Sequence, residues 1–277
     1  MSHSGHSVAI LAHSQDGFWD EPRLVHLLMS QWEDMGLKVD LVTDVEDAAQ
    51  ADLAIQHVSL SVVPPAYQQL AARFPRTVNG LAVDIRKRRF SRLLVGREDS
   101  YGGAVIVKTD RNAGGWREHR VSPWWRRMAE AALPWRMRRF VRPEDYPVFP
   151  GSRLVPHGVW ANRNLVVERF VPEREGEWYV CRHWLFLGSR EVTRRTASSH
   201  PVVKFRGVME PTSEPIPVEL RAIREELGFD YGKFDYGIVD GEVALYDVNR
   251  TPGAAPDAWL HAGTVDALAP GILDFFA

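Results

Sequence analysis

One stretch, GKFDYGIVDGEVALYDVNRTPG at residues 232–253, constrains this chain more than any other. Its halves FDYGIV and EVALYDV are rich in β-branched and aromatic residues and meet at Asp240-Gly241, a pair suited to a tight reversal, so two antiparallel strands are predicted. Side chains alternate across a strand, and Asp247 and Asn249 therefore project from one face, where a sheet normally carries apolar residues. A strict two-residue turn would pair Phe234 with Asp247 and send Asp235 to the opposite face. Bringing Asp235 and Asp247 together requires one extra residue, either a three-residue turn with Gly241 in a left-handed bulge or an equivalent slip. Oxygen-only groups gathered in this way are the ligand type suited to magnesium, which is usually held by carboxylates together with substrate phosphates.

Phosphates also need cations, and the charge distribution supplies them. The net charge of the 277 residues is −2, yet residues 86–142 hold 16 of the 34 lysines and arginines against five acidic residues, Glu98, Asp99, Asp110, Glu118 and Glu130. That imbalance expects an anion, without choosing among nucleotide, nucleic acid and acidic metabolite. Lys108 stands in the strand pattern AVIVKTD (104–110), directly before the loop RNAGG (111–115). Gly114 and Gly115 there allow main-chain N–H groups to approach a polyphosphate closely.

Elsewhere the pattern is that of an α/β protein. VAILAH (8–13), EPRLVHLLMSQWEDMG (21–36) and LKVDLVTD (37–44) read as strand, amphipathic helix and strand, a β-α-β unit, and ADLAIQHVSL (51–60) adds a further apolar run. These make an open α/β domain over residues 1–82 that lacks a GxGxxG phosphate loop. Between 116 and 165, tryptophans interleave with arginines, and one or two short helices are predicted amid loop. NLVVERFV (164–171) and WYVCRHWLFL (178–187) read as strands, and VELRAIREELG (218–228) as a helix. The single cysteine, Cys181, excludes an internal disulfide, and no HExxH or similar ligand spacing occurs. Neither a membrane-spanning run nor a signal peptide is visible, so a cytoplasmic protein is expected.

Taken in order, these pieces resemble the ATP-grasp superfamily of carboxylate-amine ligases, typified by D-alanine-D-alanine ligases and the glutamate ligases that modify ribosomal proteins. The metal signature carries the resemblance: Asp235, then Asp247 twelve residues on, Asn249 and TPG. The middle ligand of that family is usually Glu, one methylene longer than Asp247. The resemblance covers residues 84–255 and implies an α/β (α+β) chain, with an ATP-grasp domain at 83–277 after the small α/β domain. Within it, 83–165 would be the small subdomain and lid, and 166–277 the hinge, metal hairpin and C-terminal part.

The resemblance further implies ATP and Mg2+ as cofactors. Asp235, Asp247 and Asn249 would hold the metal, Lys87 and Lys108 the phosphates, and the loop bearing Gly114 and Gly115 would close over them. Glu168 would open the adenine hinge, with main chain near Arg169 and Val171 on the adenine edge and Glu175, or alternatively Glu173, on the ribose. Arg182 and Arg250, ahead of Arg195, would clamp the substrate carboxylate. The implied chemistry makes an acyl phosphate and ADP, after which an amine displaces phosphate; the carboxylate and amine belong to small molecules or peptides. A kinase on the same scaffold, and a module binding single-stranded nucleic acid through the Arg/Trp segment, are the alternatives; nucleic acid and membrane partners are not expected, and a homodimer is left open. Asp247→Ala is expected to leave the fold intact, because in the absence of metal it removes a repelling charge.

Overall fold

The N-terminal apolar pattern becomes a parallel sheet in the computed structural model, which describes residues 5–47, 49–202, 208–212, 214–254 and 263–276. Its strands are β1 (Ser7–Leu11), β2 (Lys38–Val42), β3 (Leu53–Gln56) and β4 (Thr77–Val78), in the order β2-β1-β3-β4. Helix α1 (Leu24–Asp34) buries Leu24, Val25, Leu28, Met29 and Trp32, a spacing that puts them on one face against the sheet. It starts later than residue 21 because Arg23 bridges to Gly253 and the Leu24 amide donates to the Pro252 carbonyl at 3.0 Å, tying the entry of the helix to the end of the metal-motif stretch. Gly36, at φ 87°, supplies the left-handed turn that ends it. Helix α2 (Pro65–Ala71) follows β3.

The middle of the chain forms helix α3 (Lys87–Phe90), strand β5 (Val105–Thr109), helices α4 (Trp116–Arg120) and α5 (Trp124–Ala131), strand β6 (Val148–Phe149), helix α6 (His157–Ala161) and strand β7 (Leu165–Arg169). Strands β6, β5 and β7 make a three-stranded antiparallel sheet in that order. The remainder contributes β8 (Glu173–Glu175), β9 (Trp178–Leu187), β10 (Arg190–Ser198), β11 (Val208–Pro211), helix α7 (Val218–Glu226), β12 (Tyr231–Val239), β13 (Glu242–Asn249) and helix α8 (Thr264–Leu268). Here a six-stranded antiparallel sheet runs β11-β10-β9-β12-β13, with β8 paired to β9. Its strand β10 was not visible in the sequence because REVTRRTAS carries no apolar alternation; its length follows β9 residue for residue.

The hairpin solves its parity problem inside β13 and not at its tip. Asp240 and Gly241 both take left-handed conformations, φ 53° and 81°, as a two-residue turn between right-twisted strands requires. Pairing runs from Val239 opposite Glu242 to Tyr236 opposite Leu245, then resumes with Asp235 opposite Asp247, so Tyr246 is the extra residue. Packing explains the place. Leu245 and Val248, three apart, both belong to the core formed with Trp184, Phe186, Phe234 and Tyr236 over α7, and an intervening bulge lets both face it.

The expected boundary at residue 82 falls within shared structure. Val63 and Ile85 donate amide hydrogen bonds to Val83 and Ser61, each at 2.9 Å. The core around β1 and α1 also takes in Leu185, Leu187 and Tyr231, and Leu268, Ala269 and Ile272 from the far end of the chain. Trp32 Nε1 donates to the Ala269 carbonyl at 3.0 Å.

Arg250 is part of the same seam. Its guanidinium is fully buried and donates to the carbonyls of Val58, Leu60 and Ala82, joining β13 to the N-terminal sheet. Burial pulls this group down to about 10, well below an ordinary arginine. Arg250→Met removes the donors and leaves three carbonyls without partners, so a loss of about 3 kcal/mol is expected, measured as a lower urea midpoint. An unchanged midpoint would show that the clamp contributes nothing.

Candidate nucleotide and metal site

The six-stranded and three-stranded sheets face each other across a pocket of about 250 Å³. Strand alternation decides which residues reach it. Cys181 and His183 of β9 and Lys233 and Asp235 of β12 face the cavity, whereas Trp184, Phe186 and Phe234 face α7. Asp247 and Tyr246 enter from β13, Ile106 and Lys108 from β5, Lys87 from α3, and Tyr146 from the segment before β6. The end of β7 and the chain that follows, Arg169 through Pro172, line the rim along with Ala113 and Gly114.

Both acids expected to hold metal sit on the pocket face, directly opposite one another. Asp235 Oδ1 lies 3.0 Å from Lys233 Nζ and 2.6 Å from His183 Nδ1. Burial favours its neutral form, but Lys233 and His183 outweigh that and hold the carboxyl well below the usual carboxylate range. Asp247 Oδ1 accepts from Lys87 Nζ at 3.1 Å. Burial alone would lower the Lys87 ammonium; attraction to Asp247, and then to Tyr146 and Glu168, instead raises it above the ordinary lysine value. Asn249 shares the face through its register with Lys233, yet its amide oxygen accepts the Thr251 N–H at 2.9 Å, outside the lining of the pocket. Two carboxylates in direct register are a hard-oxygen set that fits magnesium, provided that Lys87 and Lys233 release them.

The hinge residues are placed more tightly than the sequence implied. Glu168 is fully buried, and its Oε2 stands 2.7 Å from Lys108 Nζ, so the lysine bridges hinge and pocket. The Arg169 amide donates to the Leu93 carbonyl at 2.7 Å, and the Val171 carbonyl accepts the Tyr246 hydroxyl at 2.9 Å. Neither group is therefore open to adenine. The Val171 amide meets no acceptor among the described residues.

Several expected residues lie elsewhere. Arg182 occupies the other face of β9 from His183, its guanidinium bonded to Glu173 at 2.6 Å and to Glu214. Glu173 is consumed there and also accepts the Ile238 N–H at 2.8 Å, and Glu175 pairs with Arg195 at 2.9 Å. None of these five lines the pocket, and Arg250 is engaged by the carbonyls of Val58, Leu60 and Ala82. The carboxylate clamp expected at Arg182 and Arg250 and the ribose contact expected at Glu175 are thus not assembled at this pocket.

The loop RNAGG also needs correction. It is a turn of 3-10 helix packed against the following chain, with Gly114 accepting the Val141 amide at 3.2 Å. A Cβ on Gly114 would come within 2.3 Å of the Val141 carbonyl oxygen, and one on Gly115 within 2.8 Å of that of Arg139. Chain-to-chain approach, with φ 69° and 81°, requires both glycines, and Gly114 alone reaches the pocket.

Sequence reasoning missed Lys233, His183 and Tyr246. The first two share alternation with Asp235 and Cys181, a signal present in KFD and CRH once the pocket face is known. Cys181, His183 and Asp235 bring their ligand atoms within 4.8 Å of one another. Both ring nitrogens of His183 are engaged, Nδ1 with Asp235 and Nε2 with Thr196 Oγ1 at 2.9 Å, and burial pushes the Cys181 thiol up.

No protein-family profile and no curated protein matches the sequence. Solved structures do match it. The D-alanine–D-alanine ligase of Bacillus anthracis is similar over 98% of this chain and 95% of its own, with 13% identity and a TM-score of 0.50. The ATP-grasp ligase PsnB, complexed with minimal precursor, Mg and ADP, covers 100% and 99% at 10% identity and TM-score 0.55. The RiPP-associated ATP-grasp ligase of Chryseobacterium gregarium, in complex with ADP and a leader and core peptide, covers 98% and 96% at 10% identity and TM-score 0.52.

The chain has the ATP-grasp fold. Lys87, Lys108, Asp235 and Asp247 together line the pocket between its two antiparallel sheets. No helix among the described residues is long and apolar enough to cross a membrane.

Proposed function

We propose that this protein is an ATP- and Mg2+-dependent ligase that activates a carboxylate, of a small molecule or a peptide, as an acyl phosphate and joins it to an amine. The observation that supports the reading most is the meeting of Asp235 and Asp247 in direct register, faced by Lys87, Lys108 and Lys233 in one pocket. Fold likeness to ligases that include a D-alanine–D-alanine ligase agrees with it.

In this reading Asp235 and Asp247 would hold Mg2+, joined by Asn249 once its amide oxygen leaves the Thr251 N–H, and the ion would neutralise charge on the transferring phosphoryl group. Lys87 and Lys108 move from their carboxylate partners to the phosphates. Adenine is received at the rim, by the Val171 amide and the apolar walls Ile106, Phe170 and Val180. Lys233 takes the role sought in Arg182 and Arg250: its ammonium, beside Asp235, stabilises negative charge that develops as the acyl phosphate forms. Closure of the cleft over the nucleotide keeps water from that activated carbonyl.

The test is interception. With ATP, Mg2+, hydroxylamine and a panel of carboxylates including peptides with C-terminal or side-chain carboxyls, hydroxamate and ADP are expected in step, with neither formed when magnesium is omitted. A stable phosphate ester without hydroxamate would replace the ligase with a kinase.

A further inference from the structure

Residues 116–142 form a surface the nucleotide pocket does not use. Helix α5 buries none of its residues, and Trp124 and Met128 are 70% and 67% exposed. A helix this short is not stable alone, and leaving such side chains in water forgoes the gain that would come from covering them. The segment carries eight arginines against Glu118 and Glu130. Both glutamates are already engaged, Glu118 by the Ser61 N–H at 2.8 Å and Glu130 by the N–H groups of Arg139 and Phe140 at 2.5 and 2.8 Å. Arg117 and Arg120 pair with Glu21 and Asp20 of the N-terminal unit. The other six arginines meet no carboxylate among the described residues.

These features converge on a cavity of about 460 Å³, lined by Trp135, Phe140 and Val141 with Arg127, Arg138 and Arg142. We propose that this cavity and the adjoining face of α5 dock an acidic peptide, whose carboxylates meet the arginines and whose apolar side chains cover the tryptophans. Planar guanidinium forks suit discrete carboxylates, and Trp and Arg are the residues on which interfaces most often depend. Glu130 and Asp145 also line the cavity, and their charge opposes an unbroken row of phosphates while leaving room for carboxylates spaced along a peptide. A concave site of this kind does not suit a flat anionic membrane.

The position adds meaning. Val141, Arg142 and Asp145 line this cavity, while Pro143 and Tyr146 of the same segment line the nucleotide pocket. A peptide held here lies one chain segment away from the cleft; only this consequence, delivery of a peptide carboxylate or amine, rests on the ligase reading.

Fluorescence anisotropy tests docking without activity. The probe is a short fluorescein-labelled peptide alternating glutamate and phenylalanine, compared with a lysine–phenylalanine peptide, a single-stranded oligonucleotide and phosphatidylserine vesicles. The acidic peptide is expected to bind the wild-type protein in preference to the other three. Arg127→Glu/Arg142→Glu is expected to weaken it by about tenfold or more while the Mg2+-ATP thermal shift is unchanged. Should the charge reversal unfold the protein, Trp124→Ser, which removes the ring that is 70% exposed on α5, serves in its place and is expected to weaken binding as well. Equal binding by wild type and variants, no binding of the acidic peptide, or better binding of oligonucleotide or vesicles would each overturn the proposal. Peptide binding without hydroxamate would sustain docking and count against the ligase alone.

Discussion

Asp247→Asn is expected to abolish the Mg2+-dependent part of the ATP thermal shift and to slow hydroxamate formation by about 10²-fold or more, the scale on which losing one electrostatic stabiliser acts. The choice of asparagine follows from Lys87. That ammonium is almost fully buried and bonded to Asp247 at 3.1 Å, so alanine would strand it and cost stability, contrary to the expectation that the charge is merely repulsive without metal. Partial exposure of Asp247 moderates that cost without cancelling it. Asparagine keeps an oxygen for Lys87 and removes the metal-binding charge, which separates folding from function. A full Mg2+-dependent shift in Asp247→Asn would move the metal to other ligands.

The second large effect concerns Lys233. Lys233→Met is expected to lower the rate of hydroxamate formation by about 10²- to 10³-fold with a much smaller change in the KM for ATP, because in the proposed role its ammonium acts on charge that develops during the reaction. Asp235 retains His183 as a partner at 2.6 Å, so the fold should survive. Arg182→Gln is the comparison: it breaks the bonds to Glu173 and Glu214 on the far face of β9 and is expected to reduce stability more than turnover. Should Arg182→Gln lose turnover at unchanged stability while Lys233→Met keeps it, the roles given to these two residues are reversed.

Much of this arrangement was legible before any coordinates. The β-α-β start, strands β5, β7 and β9, helix α7 and the hairpin all follow from periodicity and turn chemistry, and even the need for one extra hairpin residue follows from parity. The position of that residue did not, though LYDV held the clue: two core residues three apart, where a regular strand would place them two apart. Arginines were harder. Arg182 and Arg250 stand beside the right motifs, but whether a guanidinium meets substrate, a buried glutamate or a row of carbonyls depends on residues far along the chain, Glu214 in one case and Val58 in the other. The loop glycines misled in the same way, since a need for close approach does not say what approaches.

The return of the C-terminal segment to the first sheet has a consequence for how the polypeptide acquires its structure. Trp32 reaches its carbonyl partner across 237 positions, and Leu268, Ala269 and Ile272 complete a core begun by Val8 and Ile10. Such separation makes loop closure late and slow. During synthesis the opening β-α-β unit would stand with one flank of α1 uncovered until residues 268–272 have emerged, a period in which a chaperone has an apolar stripe to hold.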